Sequence, residues 1–183
     1  MKTTIISFSA RPNGNCAQIG KLIRSLTGDA VLFDFSRFEL HACGKCDYEC
    51  FSARDRCPFI GDMEREMLEA ITQSDTAWFV IPNYCDYPCA NFFIFNERSQ
   101  CFFQGRPELL DAYARVPKLC IVVSNTNEEN FRKALSYHSV GAPDILFLSA
   151  KKYGRVSIRG DLLTDERAAA DVRRFAERQE RQP

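Results

Sequence analysis

Ala77-Trp78-Phe79-Val80-Ile81 is apolar at every position and is closed by Pro82. A strand with one wet face alternates in polarity, whereas one apolar throughout is covered on both faces, as in a parallel sheet. Leu119-Cys120-Ile121-Val122-Val123 has the same character and ends at Ser124-Asn125-Thr126-Asn127. Thr4-Ile5-Ile6-Ser7-Phe8, Ala30-Val31-Leu32-Phe33-Asp34-Phe35 and Ile145-Leu146-Phe147-Leu148 read as three further strands. Stripes of helical period lie between them: Ile19, Leu22, Ile23 and Leu26; Met63, Met67, Ala70 and Ile71, with Asp62 as candidate cap; Phe131, Ala134, Leu135 and His138. Ala168, Val172, Phe175 and Ala176 predict a last amphipathic helix with a solvated, Arg-rich far face, and residues 177–183 read as a frayed tail. Five strands alternating with helices predict an α/β three-layer sandwich, because parallel strands require crossovers that are nearly always right-handed.

The 183 residues suit a single domain spanning 1–183. With 24 Lys+Arg against 24 Asp+Glu, the chain has no electrostatic footprint for nucleic acid or an anionic membrane. Hydrophobic residues at 45% and charged residues at 26% exclude a disordered chain. The start, Met1 to Phe8, is too short an apolar run for a secretory signal, and no stretch approaches the ~18 apolar residues of a membrane span. These features predict a cytoplasmic protein whose nine cysteines are reduced, metal-bound or redox-active.

In open parallel sheets, ligands bind outside the carboxyl ends of the strands, at the point where strand order reverses. After the first strand the chain reads Ser9-Ala10-Arg11-Pro12-Asn13-Gly14-Asn15-Cys16 and enters a helix. Hydroxyl and amide side chains, a glycine, a fixed positive charge and a helix N-terminus suit a phosphate. The same residues also suit an ordinary capped turn. Neither the three-glycine dinucleotide fingerprint nor Gly-Lys-Ser/Thr is present.

This loop resembles the phosphate-binding segment of flavodoxin-like NAD(P)H-dependent FMN reductases, commonly Gly/Ser-Ser-Pro-Arg-x-x-Gly-Asn-Thr. Ser9, Arg11, Asn13, Gly14 and Asn15 match in kind, with Arg and Pro transposed and Cys16 replacing the usual Ser or Thr. Pro82-Asn83-Tyr84 is similar to the family's Pro-x-Tyr segment beside the isoalloxazine ring, and the likeness extends to Asp62-Met63 and Arg159-Gly160-Asp161-Leu162-Leu163. The resemblance implies a five-stranded flavodoxin-like fold binding FMN, with NAD(P)H as co-substrate. Ser9, Arg11, Asn13, Asn15 and Cys16 would hold the phosphate. Pro82, Asn83, Tyr84, Cys85 and Asp86 would line the ring, and Ser124, Asn125 and Thr126 would form a third wall. Where the family often has an aromatic and Gly after the Tyr, this chain has Cys85-Asp86-Tyr87-Pro88-Cys89. Cys85 would touch the flavin or be a small buried hydrophobe.

Cys43-x2-Cys46-x3-Cys50-x6-Cys57 falls within the loop 41–61, with His41 as a further candidate ligand. Thiolates this close in sequence suit a [4Fe–4S] cluster, a zinc ion, or free or redox-active thiols. The loop resembles that of iron–sulfur flavoproteins, in which four cysteines hold a [4Fe–4S] cluster beside FMN; those proteins typically have two residues between the second and third cysteines, against three here.

Phe92, Phe93, Phe95, Phe102 and Phe103 crowd one helix-length segment, interrupted by Asn96-Glu97-Arg98-Ser99. They suit a dimer interface, with Arg98 as an intersubunit ion-pair partner, a roof over the flavin, or plain core packing. No Ser-His-Asp or Cys-His constellation is visible, so no side chain is assigned a catalytic role. The functional expectation is an FMN-dependent oxidoreductase, a homodimer or homotetramer, passing electrons to a small-molecule or protein acceptor. An electron-transfer iron–sulfur flavoprotein and a non-enzymatic zinc-binding interaction module are the competing readings.

Overall fold

The computed structural model describes residues 1–44, 46–53, 56–126, 128–138 and 143–180. Its elements are β1 (Lys2–Ser7), α1 (Asn15–Leu26), β2 (Asp29–Asp34), α2 (Glu64–Thr72), β3 (Thr76–Tyr84), β4 (Tyr87–Pro88), α3 (Ala90–Phe103), α4 (Pro107–Arg115), β5 (Lys118–Ser124), α5 (Glu129–His138), β6 (Asp144–Ser149) and α6 (Glu166–Glu180). Among the described residues the sheet runs β2-β1-β3-β5-β6, and every neighbouring pair in that order is parallel. The two-residue β4 pairs antiparallel with the end of β3. The α/β sandwich expected from the sequence is therefore present, and its order reverses between β1 and β3.

Continuous hydrophobicity in the inner strands has a direct cause. Ile6, Phe79, Ile81, Cys120 and Val122 face one core, with α2, α3, α4 and α5 over them. Their alternates, Ile5, Trp78, Val80, Leu119, Ile121 and Val123, face the other, beneath α1 and α6. Period two puts successive side chains on opposite faces, and both faces are covered.

The Phe-rich segment belongs to this chain's own core. Phe92, Phe95 and Phe102 are buried, and Phe93 and Phe103 pack against them. The Phe8 ring contacts those of Phe35, Phe79, Phe92 and Phe95. Arg98, expected to reach a partner subunit, is buried and paired within the chain with Asp62.

Asp62 accepts the Glu64 N–H at 3.3 Å at the head of α2. α4, which apolar periodicity does not reveal, starts with Pro107 in its first turn and packs Leu109 and Tyr113 inward. α6 continues to Glu180, so residues 177–180 are helical rather than frayed; 181–183 lie outside the described residues. Asn127 and the side chain of His138 also lie outside them. Among the described residues no helix is long and apolar enough to cross a membrane.

Candidate functional site

The loop after β1 turns on a Gly14 N–H to Arg11 carbonyl bond of 3.1 Å, with Asn13 at φ 55. A Cβ at Gly14 would stand 3.2 Å from that carbonyl oxygen, a tight contact that the turn would have to open by a few tenths of an ångström to accept. Gly14 is also the N-cap of α1 and supplies no capping side chain, so the first-turn N–H groups have no N-cap side-chain acceptor among the described residues. Ser9 Oγ accepts the Arg11 N–H at 3.3 Å. Burial raises the Tyr84 phenol above its ordinary value, with Ser9 and the nearby Arg11 charge opposing.

Asn15 is 4% exposed, and both ends of its amide are occupied. Its Nδ2 donates to the Ser157 carbonyl at 2.7 Å and its Oδ1 accepts from Leu162 N–H at 2.9 Å. Asn125 does the same from the loop after β5: Nδ2 to Ser157 Oγ, 2.8 Å, and Oδ1 from Ser157 N–H, 2.9 Å. Gln18 Nε2 donates to the carbonyls of Gly160 and Asn13. Gly160, at φ 73, lies so close that a Cβ would meet the Asn13 carbonyl oxygen at 3.2 Å. Residues 157–162 thus form a strap that binds the loops after β1 and β5 together.

Asn83 Nδ2 donates to Ser124 Oγ at 2.9 Å and Thr126 Oγ1 at 3.2 Å, joining the ends of β3 and β5. Beyond Asn83 the chain makes a two-residue hairpin between Tyr84 and Tyr87. Its turn residues Cys85 and Asp86 have φ of 52 and 67, the left-handed pair a tight hairpin needs. Tyr84 and Tyr87 are each about half exposed, 50% and 52%. Asp86 Oδ1 is buried with no hydrogen-bond partner among the described residues. Cys85 is exposed at the tip, which corrects its reading as a buried hydrophobe.

Ser9, Arg11, Asn13, Pro82, Asn83, Tyr84, Cys85, Asp86, Ser124, Asn125 and Thr126 therefore share one edge of the sheet. Two residues expected to hold phosphate turn elsewhere: Asn15 into the strap, and Cys16 into the apolar cluster with Ile5 and Trp78. Burial pushes the Cys16 thiol far above its usual range. Cys120 is core, and Cys89 donates to the Phe8 carbonyl at 3.4 Å, its thiol pushed up to about 11, chiefly by burial. Ser157, Asn91 and Tyr87 belong to this edge but were not singled out in the sequence. Asn91 Nδ2 also donates to the Phe8 carbonyl, at 3.0 Å, and it lines a cavity of about 440 Å³ with Ala10 and residues 35–40. Its one visible signal is its place at the head of the helix after Pro88.

No protein-family model matches the chain, and no curated protein matches it in sequence. Solved structures do. The Trp repressor binding protein from Bacillus subtilis superposes with a TM-score of 0.58 at 14% identity, covering 95% of this chain and 97% of that one. The flavoenzyme FerB, an NAD(P)H:(acceptor) oxidoreductase from Paracoccus denitrificans, gives 0.56 at 14% identity, covering 97% and 96%. Azoreductase AzrA gives 0.56 at 10% identity, covering 97% and 98%. Counting only the parallel strands in chain order, the sheet of this chain runs 2-1-3-4-5, the flavodoxin-like order. The fold is flavodoxin-like.

A second feature of this flavodoxin-like chain lies away from the strap. Cys43, Cys46, Cys50 and Cys57 line one cavity of about 400 Å³, joined by Cys101 from α3. Arg98, one helical turn before Cys101, reaches Asp62, the Phe59 carbonyl at 3.2 Å and Glu64 at 4.0 Å, with Cys57 Sγ also at 4.0 Å. His41 is not a wall of the cavity: its ring stacks on Phe59 at 4.4 Å and its Nδ1 stands 3.5 Å from Asp62. Among the described residues no group of three or more His, Cys, Asp or Glu is placed to hold a metal ion. The four-thiolate set expected from the spacing is thus not gathered for ligation, and the cluster does not fit the residues as they stand. Cys101 is the residue that sequence reasoning left unexplained; its i, i+3 spacing from Arg98 is the signal that places both on one helical face.

Proposed function

We propose that this chain is an FMN-dependent oxidoreductase that passes electrons from NAD(P)H through bound flavin to a quinone, a free flavin or a protein acceptor. The observation that carries the reading is the pairing, at the β1/β3 reversal, of a glycine-capped helix start with a hairpin of exposed tyrosines. The residues fit the cofactor. First-turn N–H groups of α1, the Ser9 hydroxyl and the Arg11 guanidinium suit a phosphate monoester. Tyr84 and Tyr87 offer aromatic surface for a planar ring, and Asp86 Oδ1 is a buried acceptor awaiting an N–H donor. When bound, the flavin supplies hydride acceptance and one- or two-electron release. The chain holds the phosphate, orients the ring against the hairpin, and keeps the loops fixed through the 157–162 strap. Support also comes from FerB, named as an NAD(P)H:(acceptor) oxidoreductase on the same fold.

The exposed Tyr84, Tyr87, Val156 and Ile158 are available to a second subunit, and assembly as a homodimer or homotetramer is part of the proposal. Sedimentation equilibrium tests it, with a monomer at all concentrations as the contrary result.

Purified protein titrated with FMN should bind one equivalent, and NADH or NADPH should then bleach the flavin absorption. Arg11→Ala should weaken FMN binding by roughly 10–100-fold, the worth of one charged hydrogen bond. Protein that neither retains nor takes up flavin would refute the reading.

A further inference from the structure

The cysteine cavity has the size and lining of a small-molecule site. It measures about 400 Å³, within the ~300–1,000 Å³ of such sites, and no residue of the flavin edge lines it. Around it stand five thiols and the rings of Tyr48, Phe51 and Phe59. A protonated thiol packs as a small hydrophobe, so these walls are apolar. The Arg98 guanidinium in the wall is buried and already matched by Asp62 and Glu64. The other charged lining residue, Glu97, is exposed and disfavours an anion. Tyr48 and Phe51 add an independent observation. Their rings lie 5.8 Å apart and both are exposed, so core packing does not hold them there. Tyr48 also sits at φ 59 and ψ 33, in the left-handed region, where a bulky side chain is unfavourable and Asn or Gly is at ease. The short 3-10 turn Glu49–Phe51 that follows is held by its backbone: Phe51 N–H donates to the Tyr48 carbonyl and Ser52 N–H to the Glu49 carbonyl, each at 3.0 Å. Backbone strain retained at an exposed aromatic beside an apolar cavity points to a ligand.

We infer that this cavity binds an uncharged, flat aromatic molecule of two or three rings, seated against Tyr48 and Phe51. The two rings supply stacking or edge contacts, and the thiols supply a polarizable apolar wall. With Arg98 committed to its carboxylates and Glu97 at the wall, a phosphate ester such as FMN is a poor occupant. Cys43, Cys46, Cys57 and Cys101 are each partly exposed, so a bound molecule covers them. The inference stands independently of bound flavin.

The test uses the full chain, kept reduced by a phosphine, with the uncharged fluorophore N-phenyl-1-naphthylamine as probe. Its fluorescence should rise saturably, with one equivalent bound. At about ten times its Kd, the probe should slow iodoacetamide alkylation of Cys43, Cys46, Cys57 and Cys101 roughly tenfold, mapped by mass spectrometry. Alkylation of the exposed Cys85 should not change, and the protection should persist with FMN present. Tyr48→Asn should weaken probe binding roughly 5–10-fold while the melting temperature holds or rises by about 2–4 °C, because Asn tolerates the left-handed backbone. Phe51→Ala should weaken binding to a similar degree. Non-saturable binding, cavity cysteines alkylated at their free rate, or protection lost on adding FMN would overturn the inference. So would a lower melting temperature in Tyr48→Asn, which would make Tyr48 a packing residue, or unchanged binding in both variants. Stoichiometric iron or zinc held by the loop thiols of the purified protein would also overturn it, since the metal would fill the cavity.

Discussion

Asn15 shows how a residue type suited to one task is held to another. An amide at the start of a helix beside a phosphate loop is a natural anion ligand, yet here it is sealed under the strap with both of its ends bonded. Asn15→Leu, close in size, would leave the Ser157 carbonyl and the Leu162 N–H without that partner. It should lower stability by about 2–3 kcal/mol, measured by urea denaturation. Lys118 is a second such residue: 7% exposed, donating to the Tyr113 carbonyl and lying 4.0 Å from the Tyr113 ring centre. Burial lowers its ammonium pKa to about 8. Between that value and the ordinary 10.5 the unfolded chain binds the extra proton, so stability rises with pH across this window. Lys118→Met should therefore stabilise the protein at pH 7 by roughly 1–3 kcal/mol, an advantage that shrinks as pH climbs from 8 towards 10.5. Melting curves at several pH values check the sign; an advantage that grows with pH would contradict it.

At the scale of elements, the junction of α2, α3 and the cysteine loop depends on one buried cation. Arg98 faces Asp62 and Glu64, both nearly buried, and lies 5.6 Å from the centre of the Phe59 ring. Arg98→Met would remove the buried guanidinium from beside Asp62 and Glu64 and should cost about 3–5 kcal/mol. The β3–β4 hairpin is the converse case, an element carrying strain. Cys85 sits at φ 52, where a side chain with a Cβ is unfavourable, whereas Asn tolerates that conformation well. Cys85→Asn should raise the melting temperature through a gain of up to about 1 kcal/mol, and it leaves backbone contacts at the hairpin available to a flavin. Neither element shows in apolar periodicity: the hairpin is a turn of Cys and Asp rather than Asn-Gly, and Arg98 looks like a surface charge until its partners are brought to it.

For the whole molecule, the two-sided core predicts an order of opening. β1, β3 and β5 are flanked by strands and covered on both faces, while β2 and β6 are edges with half-exposed positions. Amide hydrogen exchange should be slowest in the three inner strands, and early exchange there with protected edges would contradict the layer assignment. The strands, their parallel character and most helices were legible in the sequence because burial on both faces needs apolar residues at every position, a local and visible pattern. The edge of the sheet proposed for the ligand was legible too, from the polar residues that follow each inner strand. What those polar residues do was not. Asn15 and Ser157 lie 142 positions apart, and Arg98 and Asp62 lie 36 apart; a hydrogen bond over such a span leaves no periodic trace. Apolar burial is set by a residue's own chemistry, so the sequence by itself determined the layers. A polar group takes whichever partner the folded chain brings within about 3 Å, so only the tertiary structure decided that Asn15 closes a strap, that Arg98 anchors a helix, and that Cys101 joins the loop cysteines around one cavity.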